Sequence, residues 1–213
     1  MSKNTREKLL DAALDIFAEQ GYQSATVQEI VKRAGVNIAA INYHFRDKAS
    51  FYAEVVIYGL AQQCDGSPDF ADDNASPQQQ LHAFIHWFLK RSLGVGETAL
   101  LDQIHMQEMM QPSPVLDQVV EKLIRPTHLK LREIVIRLLP EPASEDQIRY
   151  HCFSIMGQCN LYNLGKPIIT RLYPDMQLDE ANMETLVHHI AAVSLAGLAA
   201  ETAHSVHSSA CKP

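Results

Sequence analysis

The residues best suited to chemistry lie between positions 26 and 48. Asn37, Ile38, Ala40 and Asn42 bring two amides and two compact apolar groups onto one short segment, VNIAAINYHF. An amide pairs with the hydrogen-bonding edge of a base, and an alkyl group meets a thymine methyl. Small side chains at Ala39 and Ala40 would let such a segment enter a major groove about 12 Å wide. Thr26, Tyr43, His44 and Lys48 flank it with a hydroxyl, a phenol, an imidazole and an ammonium, groups that donate hydrogen bonds to anions.

Other chemistries find no comparable set. The chain has no GxSxG, no P-loop, no HExxH and no glycine-rich dinucleotide loop, so neither an enzyme nor a cofactor is expected. His82 and His86 stand four apart on one helical face, a metal-ligand spacing, but no third ligand is evident. His204, His207 and Cys211 form only a loose C-terminal set, and no metal site is expected. Cys152 and Cys159 are seven apart, about 10 Å along a helix, too far for an unstrained disulfide.

The elements that must present residues 26–48 read as helices. Leu9, Leu10, Ala13, Leu14, Ile16 and Phe17 recur at three- and four-residue steps, with Thr5 as the expected N-cap and Gly21 as a left-handed end. Thr26 opens a second helix with the capping box T-V-Q-E, and Gly35 stops it. A short helix from Asn37 to Phe45 follows, capped by Asn37, with Val36, Ile41 and Phe45 facing inward. Helix, glycine-containing turn, helix is the spacing of a helix-turn-helix, although an ordinary αα-corner shares it. Asp47 caps a longer helix, 47–62, with Phe51, Tyr52, Val55, Val56 and Leu60 as its buried stripe.

These residues resemble the DNA-binding motif of the TetR family of transcriptional regulators, over roughly Arg6 to Tyr58. The resemblance rests on the LLDAALDIFAEQGY opening, the Thr after the turn, AGV, the aromatic-His-Phe group and the Lys beyond Phe45. The AGVNIAAINYHF version looks most like the CecR-like subgroup. The resemblance implies backbone-phosphate contacts from Thr26, Tyr43, His44 and Lys48, and an all-α fold. In that fold a three-helix head (1–48) is linked by helix 47–62 to a C-terminal effector and dimerisation domain (49–213). Asn42 stands where the family more often has Tyr, which exchanges a phosphate contact for a base or water contact. Arg46 replaces the usual Gly or Lys and can add a backbone contact.

Charge and composition agree with a confined contact surface. The chain holds 18 Lys and Arg against 25 Asp and Glu, for a net charge of −7. Seven of the basic and six of the acidic residues fall in the first fifty positions, so the front is slightly basic and the body acidic. A DNA contact must therefore sit in the front. Apolar residues make up 46% of the chain, enough for a real core. No run approaches 18 consecutive apolar residues, the N-terminus lacks a signal-type apolar region, and the four cysteines lack CxxC spacing. A cytoplasmic location without a membrane span is expected.

Beyond residue 62, Cys64–Pro77 reads as a loop, and helices follow from Pro77 to about Leu93 and from Ala99 to Met110. The latter has an expected apolar face of Leu100, Leu101, Ile104 and Met109. A helix from Val115 to Leu139 carries Pro126, which predicts a kink near Arg125. Helices also run from Ser144 to Leu164 and from Glu180 to about His204, with Ile168–Leu178 irregular between them. Aromatic and methionine side chains gather at Phe84, Trp87, Phe88, His105, Met106, Met109, Met110, Phe153 and Met156, with Asn160, Tyr162 and Asn163 as polar anchors. Such a set suits a small hydrophobic effector, although residues at helical spacing also simply build core. The small residues of 180–204, with Leu195 and Leu198 as knobs and segment 145–164 beside them, predict a homodimer through the last two helices. The expected function is a ligand-responsive repressor binding a palindromic operator. The rival is a helical small-molecule binder without DNA activity, and an effector would act by altering the spacing of two heads through the 47–62 helix.

Overall fold

The computed structural model describes residues 4–62, 75–93 and 99–209. Helices account for the architecture, and no strand occurs among the described residues. They are α1 (Thr5–Ser24), α2 (Val27–Ala34), α3 (Ala39–His44), α4 (Lys48–Gln62), α5 (Pro77–Ser92), α6 (Ala99–Met110), α7 (Leu116–Val119), α8 (Arg125–Leu138), α9 (Glu145–Leu164), α10 (Lys166–Leu172) and α11 (Glu180–Ser209). A π-helical turn, Val120–Ile124, joins α7 to α8. Most of the expected loops at 64–77 and 94–96, and the Cys211 end of the C-terminal set, lie outside the described residues.

Two compact units divide the chain, and neither is continuous in sequence: residues 1–66 with 97–126, and residues 67–96 with 127–213. The first unit thus takes in α4, α6 and α7 as well as the three head helices. Its core is built on α1, whose Leu9, Leu10, Ala13, Ile16 and Phe17 are sealed from solvent. Phe17 meets Tyr52 edge-on at 4.7 Å, and Phe45 lies 4.2 Å from Phe51, so α1, α3 and α4 share one aromatic cluster. Aromatic pairs in this geometry add about 0.5–1.5 kcal/mol each to ordinary burial.

Local caps explain the boundaries. Asn4, not Thr5, caps α1: its side chain accepts from the Glu7 amide while Glu7 accepts from the Asn4 amide, so the capping box exists one residue earlier than expected. Gly21 has the expected positive φ of 74° but an extended ψ of 170°, so α1 kinks there and makes one further turn to Ser24. Gly35 is left-handed (φ 66°, ψ 33°) and closes α2 as expected. Ser76 and Ser144 form capping boxes with Gln79 and Gln147 at the heads of α5 and α9. The predicted kink near Arg125 takes the form of the π turn, where the Arg125 amide donates five residues back to the Val120 carbonyl. Pro126, lacking an N–H and crowding the preceding turn, accounts for it.

Two expectations need correction. Ile168–Leu172 is helical as part of α10, with Pro167 in its first turn and the Thr170 hydroxyl donating to the Lys166 carbonyl. On α6 the buried stripe runs Leu101, Ile104, Glu108, and Met109 is exposed instead of apolar-facing. The steps of three and four place residue 108 on the inner face and turn 109 about 100° away.

The second unit packs α11 against α5 and α9, with Phe84, Ile85, Leu89, Ile155, Val187 and Ile190 in its core. By length and composition, Glu180–Ala200 is apolar enough to cross a membrane. Glu184, His188 and His189 interrupt it, and its inner side (Met183, Val187, Ile190, Ala191, Leu198) fills this core.

Candidate nucleic-acid interface

The short α3 is two-faced. Ile41 and Phe45 are buried against α1 and α4, while Ile38 is 48% and Tyr43 84% exposed. Val36 is half-buried against the same core, as the inward assignment requires. Of the two alanines, Ala39 is exposed and Ala40 is half-buried and packed on the core, so the outward surface at that turn is mainly Ala39. The backbone of Asn42 continues the helix.

Asn37 is exposed and already employed. Its Oδ1 accepts the Ala39 amide at 2.9 Å, and its carbonyl accepts the Ala40 amide at 2.9 Å. Asn37 was expected to cap the helix; instead α3 begins at Ala39 and Ile38, which makes no side-chain cap, holds the N-cap position, while the Asn37 side chain braces the first turn from one residue earlier. This bond orients the amide: the oxygen spends one of its two lone pairs on the backbone, and the NH2 donors are the groups it leaves uncommitted.

Thr26 heads α2 with its hydroxyl engaged by Glu29: Oγ1 donates to Oε2 at 2.7 Å and accepts the Glu29 amide at 3.2 Å. The hydroxyl's bond, together with the Thr26 amide donating to the same Oε2 at 3.1 Å, holds the Glu29 carboxyl below its ordinary range. Thr26 can donate to an incoming anion only by turning its proton away from Glu29 while keeping the cap. Lys48 opens α4 beside the last turn of α1. Its Nζ lies 3.4 Å from the Gln23 carbonyl and 4.6 Å from the Tyr22 ring centroid, and partial burial lowers its pKa. A cation so held is placed on a helix C-terminus and an aromatic face instead of sweeping freely. Asp47 caps α4 by accepting the Ser50 amide at 2.7 Å, which holds its carboxyl low. His44 is half-buried, edge-on to the Tyr43 ring at 4.9 Å, and Arg46 is exposed. The structure thus brings Asn37, Ile38, Tyr43, His44 and the Thr26 and Lys48 caps into one helix-turn-helix.

A buried network lies within the same unit. Glu108, 2% exposed, accepts from the Tyr52 hydroxyl at 2.8 Å and from the Ser113 amide at 3.0 Å. It ties α6 and the following turn to α4. Burial and the neighbouring carboxylate push the Tyr52 phenol strongly upward. The spacing of Glu108 from Leu101 and Ile104 was a legible signal for its burial.

The expected effector residues are distributed over both units. In the first, His105 and Met106 are half-buried and Met109 and Met110 exposed. In the second, Phe84 is sealed in the core, Trp87, Phe88, Met156, Asn160, Tyr162 and Asn163 are half-buried, and Phe153 is 65% exposed beside His128. A cavity of about 490 Å³ opens in the second unit where α9, α11 and the 173–179 segment meet. Of the expected residues only Tyr162 lines it; Leu93, Met176, Leu178, Met183 and Leu186 supply its apolar surface.

Cys152 and Cys159 are free and buried in the second core, and burial raises their thiols to about 11 and about 12. His82 binds Glu184 at 3.2 Å, and its ring centre lies 6.5 Å from that of His188. No group of three or more metal-ligating side chains converges among the described residues. His188 and His189 diverge, the first toward His82 and the second into the cavity.

Two family models match the chain. Residues 9–55 match that of bacterial regulatory proteins of the tetR family, and residues 77–198 match the C-terminal domain of the HTH-type transcriptional dual regulator CecR. CecR of Shigella flexneri is 27% identical over 78% of this chain and 79% of its own length. Among solved structures, HlyIIR, a hemolysin II transcriptional regulator, aligns at a TM-score of 0.63 with 24% identity, covering 89% of this chain and 96% of that one. FadR of Bacillus subtilis, crystallised with stearoyl-CoA, aligns at 0.67 with 18% identity, covering 90% and 98%. With both halves matched by these models and the helix-turn-helix built as described, the chain belongs to the TetR family of transcriptional regulators and carries a CecR-type C-terminal domain.

Proposed function

We propose that the chain is a cytoplasmic, ligand-responsive repressor that binds a palindromic operator as a homodimer. The observation that carries the DNA half is the outward face of α3, where a branched alkyl group and a phenol stand in water while the inner side of the same short helix is buried. Residues 1–48 would read the DNA, 47–62 would link, and 49–213 would bind effector and partner. Asn37, Ile38, Ala40 and Asn42 would meet base edges, with Ala40 the most recessed. Thr26, Tyr43, His44 and Lys48 would hold phosphates. Because the Asn37 oxygen is committed to Ala39, its NH2 suits an acceptor: a purine N7, a guanine O6 or a thymine O4.

One short helix reads too few base pairs for specificity, so a dimer on two half-sites is required. Support comes from α9 and α11. Tyr150, Phe153, Leu161 and Leu164 stand exposed along α9 at helical spacing, and Ala192, Val193, Ala196 and Gly197 are exposed on α11. Large side chains on one helix and small ones on the next suit a self-complementary four-helix contact. A hydrophobic effector would be taken up by the C-terminal domain. Of the expected set in the second unit, Trp87, Phe88, Met156, Asn160 and Asn163 keep some surface to touch it, as does exposed Phe153. The test is fluorescence anisotropy with duplexes from upstream of the protein's own gene, across a salt series, with and without hydrophobic compounds. Salt-dependent, sequence-selective binding is expected, and equal indifference to every duplex would refute the reading.

A further inference from the structure

The second unit carries a group of ligating side chains that the proposed function leaves unused. His82 and His86 stand one turn apart on α5, a metal-ligand spacing for which the local sequence offers no third ligand. The packing of α5 on α11 supplies it. Glu184 and His188 stand one turn apart on α11 in the same way. The Nε2 of His82 lies 3.2 Å from Oε1 of Glu184. The His188 ring meets the His82 ring edge-on, with centres 6.5 Å apart, so His188 is turned toward α5. Lys90 and Glu180, 3.9 Å apart, mark the other end of this seam and show that the two helices run antiparallel along it. His82 is half-buried, and Glu184 and His188 are exposed, so an ion from solvent can reach all three.

These separations suit one small cation. Two atoms that each ligate a tetrahedral zinc at about 2.0–2.1 Å lie about 3.3 Å from one another. His82 and Glu184 already present a nitrogen and an oxygen at 3.2 Å. A hydrogen bond has the same length, so the discriminating member is His188. Two imidazoles on one zinc have ring centres about 5 Å apart, somewhat closer than the 6.5 Å between His82 and His188. As they stand the three side chains do not converge on one point. His188 is exposed, and exposed side chains change rotamer within nanoseconds, so a turn of its ring can close the difference. We infer that His82, Glu184 and His188 form a binding site for a divalent transition metal of the zinc class, which clips α5 to α11. Two imidazoles with one carboxylate are a zinc donor set, whereas magnesium and calcium take oxygen ligands. The inference depends on neither the DNA nor the effector reading.

The test is equilibrium dialysis of Zn2+ against the full, untagged chain at pH 7.5 without DNA, after iodoacetamide has blocked the thiols that react in the native protein. One Zn2+ per chain should bind saturably, and an excess of Mg2+ should not displace it. His82→Ala, Glu184→Gln and His188→Ala should each weaken binding at least about tenfold while the helical circular dichroism stays unchanged. His189→Ala, next in sequence but turned into the cavity, should bind like the parent. So should His204→Ala with His207→Ala, which removes the imidazoles of the C-terminal set. Zinc should raise the melting temperature of the parent and not that of His188→Ala, because a ligand held only by the folded state stabilises it. Sedimentation should not change with zinc, since one chain supplies all three ligands. No saturable binding, parent-like binding by any of the three ligand variants, or a comparable loss in either control variant would overturn the site. So would zinc-dependent association of chains, because the ligands would then come from two copies. None of these outcomes touches the DNA reading, which is measured on duplexes.

Discussion

On the proposed reading Asn37 has two separable duties, holding the first turn of α3 and meeting a base edge, and two substitutions should pull them apart. Its Oδ1 accepts the Ala39 amide at 2.9 Å and so organises the first turn of α3. Asn37→Ala removes that bond, and loss of such a cap costs about 0.5–2 kcal/mol. For a unit of this size, melting should fall by roughly 4–8 °C per kcal/mol. The same change removes the outward NH2, worth about 1–3 kcal/mol of base discrimination, or roughly five- to hundredfold in affinity for the preferred operator. Asn37→Asp keeps the acceptor and adds a negative charge at a helix start, so stability should match or slightly exceed the parent. It also replaces the donors with a carboxylate facing a polyanion, so operator affinity should fall at least as far as in the alanine variant. Melting is followed by circular dichroism, and affinity by anisotropy on a duplex isolated by selection from random sequence, against a scrambled control. An aspartate variant that binds the operator like the parent would refute the base contact. An alanine variant that melts like the parent would refute the cap.

The remaining predictions address the other contacts. Lys48→Ala should weaken all duplexes alike and reduce the slope of log affinity against log salt by about one, measured by anisotropy from low to moderate salt. If the chain pairs through α9 and α11 as proposed, Phe153→Glu on the exposed face of α9 should sediment as a monomer where the parent sediments as a dimer, and should lower operator affinity while leaving the helical signal intact. The Asp47 carboxyl is held low by the Ser50 amide, so its contribution is present above the ordinary carboxyl pKa and is lost as pH falls through the lower, folded value. Asp47→Asn should accordingly flatten the acid limb of the head's stability curve. The thiols of Cys152 and Cys159, raised by burial, should resist iodoacetamide at pH 8 in the native protein and react once it is denatured, as read by peptide mass mapping.

Periodicity, caps and glycines are local properties, and they were readable residue by residue. Thr26 with Glu29, Gly35 and Asp47 marked the head helices, and Pro126 marked the break before α8, because each acts on its own turn of backbone. The two-sidedness of α3 was also legible, since Ile41 and Phe45 had to be inside if Ile38 and Tyr43 were to be out. Three-dimensional packing settled other matters. Spacing from Leu101 and Ile104 already put Glu108 on the inner face of α6, but only packing brought Tyr52 and Ser113 from elsewhere to satisfy its carboxylate. Packing also gave α4 and α6 to the same compact unit, and it assembled a cavity from Leu93, Tyr162, the 175–179 segment and α11, with Leu93 and His189 96 positions apart. Such a hollow belongs to no single stretch of chain, so no local pattern can announce it. It exists only where separate helix ends fail to fill the space between them.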